Sequence, residues 1–450
     1  MKRRIVCLLI FIFLLTACTN ENPEMNANSN AEGNATAESI QNTESVTSAE
    51  PAPTEPTPIP TTTKEPTILE PNELPEVTQE EIAAAWDARL TVDREYNEEL
   101  PNVLLTGTEN IFDFPEKDGI DQFFYAQRGY IEITGDNYRL LSESVANIMD
   151  TEKDILFDRM EALDLDEFYE SHFSCFWGVD KITRVDNRIL SFVMMNTMAD
   201  KEIEGYTLDV LTGKKLELSD VIADEERFWI YTKEFIITSI QESPSKEYNE
   251  NYEDIVNAMS ENRVDWYWYF NASGMVIEFQ EKVIRRYSPE FTIPYKECAH
   301  LFYPQYLPGD SAMCGEVSGN AETVLSNTTS FVINCEASEN TYWDSPVLNL
   351  NDYSEKIEAR EIYDNYDHNG LAYAYTVRRY DGKEYLIIEV CAICDIATFR
   401  IYEITGGEVR LCNDIKELFI EQNYYDNVIT FNNGIIAFGI EYRWDSTEEW

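Results

Sequence analysis

Asp265-Trp266-Tyr267-Trp268-Tyr269-Phe270-Asn271-Ala272-Ser273-Gly274-Met275-Val276-Ile277-Glu278-Phe279 reads as two strands around a turn. Aromatic and β-branched residues favour a pleated surface on either side, and Asn, Ser and Gly punctuate between them. Alternation sends Trp266, Trp268 and Phe270 to one face and Tyr267 and Tyr269 to the other. Either one set faces solvent, where a row of rings stacks on a sugar or anchors a protein partner, or helices and a second layer cover both faces. The first alternative makes Trp266, Tyr267, Trp268 and Tyr269 the candidate binding surface.

Upstream of this hairpin the periodicity switches between two and three-to-four. Glu225 to Gln241 carries Phe228, Tyr231, Phe235 and Ile236 on one helical stripe. Arg188–Thr197 and Gly205–Val210 are strand-like, and Gly213 in Leu211-Thr212-Gly213-Lys214-Lys215 supplies the residue that tolerates positive φ in the following turn. Tyr125–Thr134 predicts a further strand. Tyr138, Leu141, Val145, Ile148, Met149, Ile155, Leu156 and Met160 then predict a long amphipathic helix, capped by Asp136 or Asn137 and open to a break near Asp150-Thr151. Thr78-Gln79-Glu80-Glu81 is a capping-box pattern that opens a short helix through Ile82, Ala85 and Trp86.

Downstream, Pro308 to Ser330 is rich in Gly, Ser and Asn and reads as a linker. Beyond it, Asp381-Gly382, Gly406-Gly407 and Asn433-Gly434 lie between aromatic and β-branched runs, which predicts three hairpins of an antiparallel meander. The fold class expected is therefore α+β, with helices packed on an antiparallel sheet, followed by an all-β antiparallel meander domain. The α+β domain is placed at residues 78–305, a linker at 306–330 and the all-β domain at 331–450.

Residues 1–17 read as a lipoprotein signal peptide, because Lys2, Arg3 and Arg4 precede the apolar run Ile5 to Leu15. That run is too short for a bilayer core of roughly 30 Å, which takes about 20 residues as a helix. It ends in Leu15-Thr16-Ala17-Cys18, which resembles the lipobox of bacterial lipoproteins, so Cys18 is the expected lipid-attachment residue. Residues 18–77 follow as the lipidated cysteine and a Pro/Thr/Glu-rich linker with almost no aliphatic side chains, too polar to offset its ordering entropy. As a flexible coil it spans roughly 45 Å. The expected location is the extracytoplasmic face of a cell membrane, held by the acyl chains on Cys18.

With 84 acidic against 34 basic residues, the formal charge is −50. A phosphate backbone would be repelled, so nucleic acid is excluded as a partner and cationic partners are favoured. Conventional active-site chemistry is hard to place. His172, His300 and His368 are the three histidines, none in a motif, and HExxH, GxSxG, P-loop and dinucleotide fingerprints are missing. Of nine cysteines, Cys7 falls in the signal and Cys18 takes the lipid, which leaves Cys175, Cys298, Cys314, Cys335, Cys391, Cys394 and Cys412. Cys391-Ala392-Ile393-Cys394 has redox or zinc spacing but no second half to complete a site. Asp364, Asp367 and Asn369 sketch a calcium loop without the glutamate that an EF-hand needs at its twelfth position. The sequence therefore leads to no catalytic residue, no metal and no cofactor.

A resemblance adds to this reading. Arg184-Val-Asp186-Asn-Arg188-Ile-Leu190, Tyr206-Thr-Leu-Asp209 through Thr212-Gly213-Lys214 to Leu218-Ser-Asp220, Phe270 to Phe279, and Ile293-Pro294-Tyr295 occur in one order. That succession resembles the extracellular domain shared by RsiV-type anti-sigma factors and the front part of PdaC-type peptidoglycan deacetylases. The resemblance spans residues 123 to 302, about two fifths of the chain. It implies an α+β domain outside the membrane and, in the RsiV branch, lysozyme binding. The chain departs from the family pattern at Lys282-Val-Ile-Arg285-Arg286-Tyr-Ser-Pro-Glu290, where two arginines would repel a cationic partner. It also carries neither an anti-sigma segment nor a deacetylase domain, so neither activity transfers. The expectation is a surface-anchored binding lipoprotein whose partner is a basic wall-active protein such as lysozyme. Its rivals are a glycan-acting envelope enzyme and an accessory subunit of an exported complex.

Overall fold

The computed structural model describes residues 77–97, 100–113, 125–162, 175–196, 202–243, 248–261, 265–285, 289–336, 343–357, 370–371, 374–393, 396–412, 429–432 and 435–437. Cys18, the linker before residue 77, His172, His368, Cys394 and the calcium-loop candidates Asp364, Asp367 and Asn369 lie outside them.

Helix α1 (Gln79–Ala88) starts where the capping box places it: Glu81 N–H donates to Thr78 Oγ1 at 3.2 Å, and Thr78 N–H donates to Glu81 Oε2 at 2.8 Å. Trp86 is its buried anchor. Strand β1 (Asn102–Asp113) has no counterpart in the sequence reading and pairs antiparallel with β2 (Tyr125–Thr134). A 3-10 turn at Asp136–Tyr138 leads into α2 (Arg139–Ala162). Asp136 and Asn137 lie inside that turn, and Gly135, at φ 125°, makes no side-chain cap. The helix passes unbroken through Asp150-Thr151, where Thr151 Oγ1 donates to the carbonyl of Asn147 at 2.8 Å. Leu141, Val145, Met149 and Leu156 form its buried stripe against Val103, Ile131, Ile133 and Phe192.

Strands β3 (Cys175–Asp186), β4 (Ile189–Asn196) and β5 (Glu202–Asp209) form an antiparallel ribbon. Asp186 closes its first turn by accepting from the backbone N–H groups of Arg188 and Ile189 at 2.7 and 2.8 Å. Gly213 adopts φ 68° after β5, as the turn requires. Helix α3 (Glu225–Glu242) is capped by Asp224 and buries Phe228, Thr232, Ile236 and Ile240. Tyr231 and Phe235, expected on the stripe, instead stack on each other at its edge. After α4 (Tyr252–Ala258), β6 (Trp266–Phe270), β7 (Gly274–Phe279) and β8 (Glu290–Pro294) make a three-stranded antiparallel sheet.

The remaining strands are β9 (Met313–Glu316), β10 (Thr323–Val324), β11 (Ser330–Glu336), β12 (Trp343–Leu350), β13 (Tyr353–Lys356), β14 (Gly370–Leu371) and β15 (Ala374–Arg378). They continue as β16 (Glu384–Ile393), β17 (Ile396–Glu403), β18 (Arg410–Leu411), β19 (Ile429–Asn432) and β20 (Ile435–Ala437). Strands β15 to β18 are a meander with positive-φ glycines at Gly382, Gly406 and Gly407. The fold is thus α+β with an antiparallel meander, and among the described residues the β2–β3 pair is its parallel exception.

Among the described residues the largest sheet has twelve strands in the order β18-β17-β16-β15-β9-β3-β2-β1-β19-β20, with β4 and β5 branching from β3. Residues 306–330, read from the sequence as a linker, therefore contain a central strand. β9 bonds to β3 on one edge and to β15 on the other. Met313, Cys314 and Val317 are buried, so the Gly, Ser and Asn residues nearby punctuate turns between short strands. β19 from the far end of the chain pairs with β1.

Candidate functional site: a buried carboxylate and lysine cluster

The proposed aromatic surface is corrected by the structure. Trp266, Tyr267, Trp268 and Tyr269 are all buried, at 3, 6, 9 and 0 % exposure. Alternation assigns the faces as expected. Trp266, Trp268 and Phe270 pack with Phe228, Met275, Ile277 and Phe279, while Tyr267 and Tyr269 pack with Val193, Ile203 and Val276. Both faces are covered because β5 crosses so close to β6 that a Cβ at Gly205 would lie 2.2 Å from the Trp268 carbonyl oxygen. The four rings hold the two sheets together and are not a binding row.

Two of the described thiols are held back from reaction by burial. Burial pushes the Cys298 thiol up to about 12 and raises that of Cys314 as well, which removes the thiolate that nucleophilic or metal chemistry needs. Cys391 stands in β16, two residues before that strand ends. Of the histidines, His300 lies among the described residues; burial and then the charge of Arg227 depress its imidazole. No group of three or more His, Cys, Asp and Glu side chains there could hold a metal ion. No described helix is long and apolar enough to cross a membrane.

Two polar clusters tie the three-stranded sheet to the large one. In the first, Arg184 is fully buried and donates through Nε to Asp186 at 2.9 Å, and through its Nη1 to the Tyr295 hydroxyl at 2.7 Å and the Tyr306 carbonyl at 3.1 Å. Its guanidinium carbon lies 5.2 Å from the Tyr295 ring centroid and 5.8 Å from that of Phe270. Tyr295 passes the connection on, donating to the Asn271 carbonyl at 2.9 Å. Arg188, four residues beyond Arg184, donates to the carbonyls of Pro304, Leu307 and Arg89. These are the arginines and the Ile-Pro-Tyr tyrosine of the motif succession, and each is used for architecture.

The second cluster is chemically less settled. Lys181 on β3 donates to Glu290 Oε1 at 3.0 Å and to Glu316 Oε1 at 3.3 Å. The Tyr269 hydroxyl reaches Glu290 Oε1 at 3.1 Å and Glu278 Oε2 at 3.4 Å, and Lys181 lies 5.2 Å from the Tyr269 ring centroid. Glu316 is 7 % exposed and its second oxygen, Oε2, is buried without a hydrogen-bond partner. Burial pushes the Glu316 carboxyl up to about 7, with Lys181 pulling it down and Glu290 pushing it further up. Desolvation also disfavours the charged form of Glu290, but Lys181 and the Tyr269 hydroxyl outweigh it and hold that carboxyl below its ordinary range. Burial works against the Lys181 ammonium as well, and Glu290 and Glu316 overcome it, so the lysine stays charged.

Two carboxyls driven apart in this way are the ingredients of acid–base chemistry. Here one lysine bonds both, so as folded they form a bridged ion cluster. Sequence reasoning missed it. Its members come from β3, β6, β7, β8 and β9, and Lys181 is separated from Glu290 by 109 residues and from Glu316 by 135.

No protein-family model matches the chain, and no curated protein matches it. Solved structures offer partial likenesses. One is a member of the DUF3298 family from Bacteroides fragilis, 11% identical, covering 46% of this chain and 96% of its own, with a TM-score of 0.32. Another is a DUF3298 family protein from Pseudomonas aeruginosa, 15% identical, covering 47% of this chain and 97% of its own, with a TM-score of 0.28. DUF3298 denotes a domain of unknown function, so neither likeness brings an activity with it.

Proposed function

We propose that this chain is a lipid-anchored binding protein on the extracytoplasmic face of a cell membrane, with no catalytic role of its own. The observation that carries the reading is the succession Lys2-Arg3-Arg4, the apolar run Ile5 to Leu15, and Leu15-Thr16-Ala17-Cys18, followed by a long polar spacer. The partner proposed is a basic wall-active protein such as lysozyme. The RsiV-like motif succession supports it, and so does a formal charge of −50, which draws a cationic partner in at long range. The aromatic hairpin takes no part, since its rings are buried. Contact falls to other surface of the folded part, with acidic side chains supplying the complementarity.

Metabolic labelling with a fatty-acid analogue tests the anchor. The native protein takes the label and fractionates with membranes, and Cys18→Ala loses both. Label retained by the variant refutes the anchor. Calorimetry of the protein against lysozyme at about 150 mM salt, where the Debye length is roughly 8 Å, tests the partner. A saturable heat at that ionic strength supports it. Binding confined to low salt reveals charge attraction without recognition and refutes it.

A further inference from the structure

The seam between the three-stranded sheet and the large sheet is a line of directional bonds around the Lys181 cluster. Thr183 Oγ1 donates to the Phe270 carbonyl at 2.7 Å, the Phe270 N–H donates to Ser191 Oγ at 3.0 Å, and the Ala272 N–H donates to the Glu316 carbonyl at 2.8 Å. Gln280 exchanges two bonds with the backbone of Ile203, at 3.2 and 2.6 Å. Glu316 is the last residue of the strand that stitches the large sheet together, and its side chain stands on this seam.

The charges facing Glu316 can be counted element by element. Lys181 and Asp180 of β3, Glu290 of β8 and Tyr269 of β6 act on it directly, and Glu278 of β7 joins them through Lys181 and Tyr269. On β15 its register partner is Tyr375. Lys181 is the single cation of this set, against Glu278, Glu290, Glu316 and Asp180. It already bonds Glu290 and one oxygen of Glu316, which leaves Glu316 Oε2 buried and unpaired. An ionised carboxylate with one bare buried oxygen beside a second carboxylate is costly, whereas a protonated one removes both the charge and the repulsion.

We propose that Glu316 is a proton-binding site that couples the seam between the two sheets to the pH of the medium, holding it closed in mild acid and loosening it towards neutrality. The sign follows from linkage. The closed seam raises the Glu316 carboxyl from its ordinary 4.5 to about 7, and an opened seam returns it to water and to the ordinary value. The closed state therefore binds the extra proton between those limits. Stability of the seam is complete below the lower limit, declines as pH rises through the window, and levels off above the upper one. For one proton, the opening equilibrium rises by up to about tenfold per pH unit inside the window. This goes beyond the binding role proposed above and depends on no partner.

Hydrogen exchange of the full-length protein, corrected for the intrinsic pH dependence of amide exchange, reads the seam directly at Phe270, Ala272 and Ile203. Opening at these amides is expected to rise between pH 5 and 7 and to flatten above 7, while amides in α2 serve as a control that stays constant. In Glu316→Gln the rise is abolished. Glu290→Gln, at a half-exposed position that spares the Glu316 strand, removes a neighbouring negative charge and is expected to shift the plateau to lower pH. A seam whose corrected exchange is flat across this range in the native protein overturns the proposal. So does a Glu316→Gln protein that keeps the native rise, or a Glu290→Gln protein whose plateau does not move.

Discussion

Arg184→Met removes the guanidinium that joins β3 to the Ile-Pro-Tyr strand and leaves the Asp186 carboxylate in place. Both residues are buried to within 1 %. The variant loses the ion pair with Asp186 and the bonds to the Tyr295 hydroxyl and the Tyr306 carbonyl. Tyr295 keeps its bond to Asn271, and Asp186 keeps the two amides of its turn, so the dominant loss is the uncompensated buried charge. Breaking one side of such a pair costs about 3–5 kcal/mol. Removing both partners in Arg184→Met, Asp186→Leu takes away the stranded charge but adds the loss of two turn bonds, each worth about 1 kcal/mol. The double variant is therefore expected to be no less stable than the single one, so the coupling energy in the cycle is at least as large as the cost of Asp186→Leu alone. Urea unfolding followed by far-UV circular dichroism and extrapolated linearly measures both. A single variant within about 1 kcal/mol of the native protein, or costs that simply add, would refute the assignment of Arg184 as the charge that makes Asp186 tolerable there.

Gly205→Ala places a methyl group 2.2 Å from the Trp268 carbonyl oxygen, backbone that cannot rotate away. The sheets must separate locally, at a cost of about 1–3 kcal/mol or more, seen as a lower urea midpoint with β6 amides exchanging faster than those of α2. Thr78→Ala removes the side chain that accepts from Glu81 N–H and is expected to lose about 1 kcal/mol of helix stability. The check is faster exchange in the first turn of α1, with the β15–β17 meander unchanged.

The parts legible in the sequence are those whose determinants are local. The Trp266–Phe279 hairpin, Phe228 and Ile236 of the α3 stripe, the Thr78 box and the positive-φ glycines Gly213, Gly382, Gly406 and Gly407 each depend on residues a few positions apart, and the structure has them where the pattern puts them. β1 and β3 escaped for a physical reason. Both carry irregular register, β1 between Thr106 and Glu109 and again between Asn110 and Phe112, β3 between Val179 and Lys181 and again between Ile182 and Arg184. Each bulge slips the alternation that identifies a strand. In β3 the inward positions also hold Arg184, Thr183 and Asp186, polar residues whose partners arrive from more than a hundred positions later in the case of Arg184 with Tyr295 and Tyr306. Alternation likewise tells which rings of β6 share a face, and says nothing about whether β5 lies across the other. The Lys181 cluster is assembled by tertiary pairing alone and leaves no mark in any window of sequence.

The pairing of β1 with β19 sets a schedule. Val103 lies opposite Phe431, so 431 − 103 = 328 residues separate two strands that share a hydrogen-bonded edge. At a synthesis rate of about 5–20 residues per second, that edge waits roughly 16 to 66 s for its partner, while the hairpin with β2 forms as soon as the chain allows. For that interval the growing protein carries a bare row of amides and carbonyls, the kind of edge on which chains aggregate. Any product that stops short of Ile429 keeps it permanently.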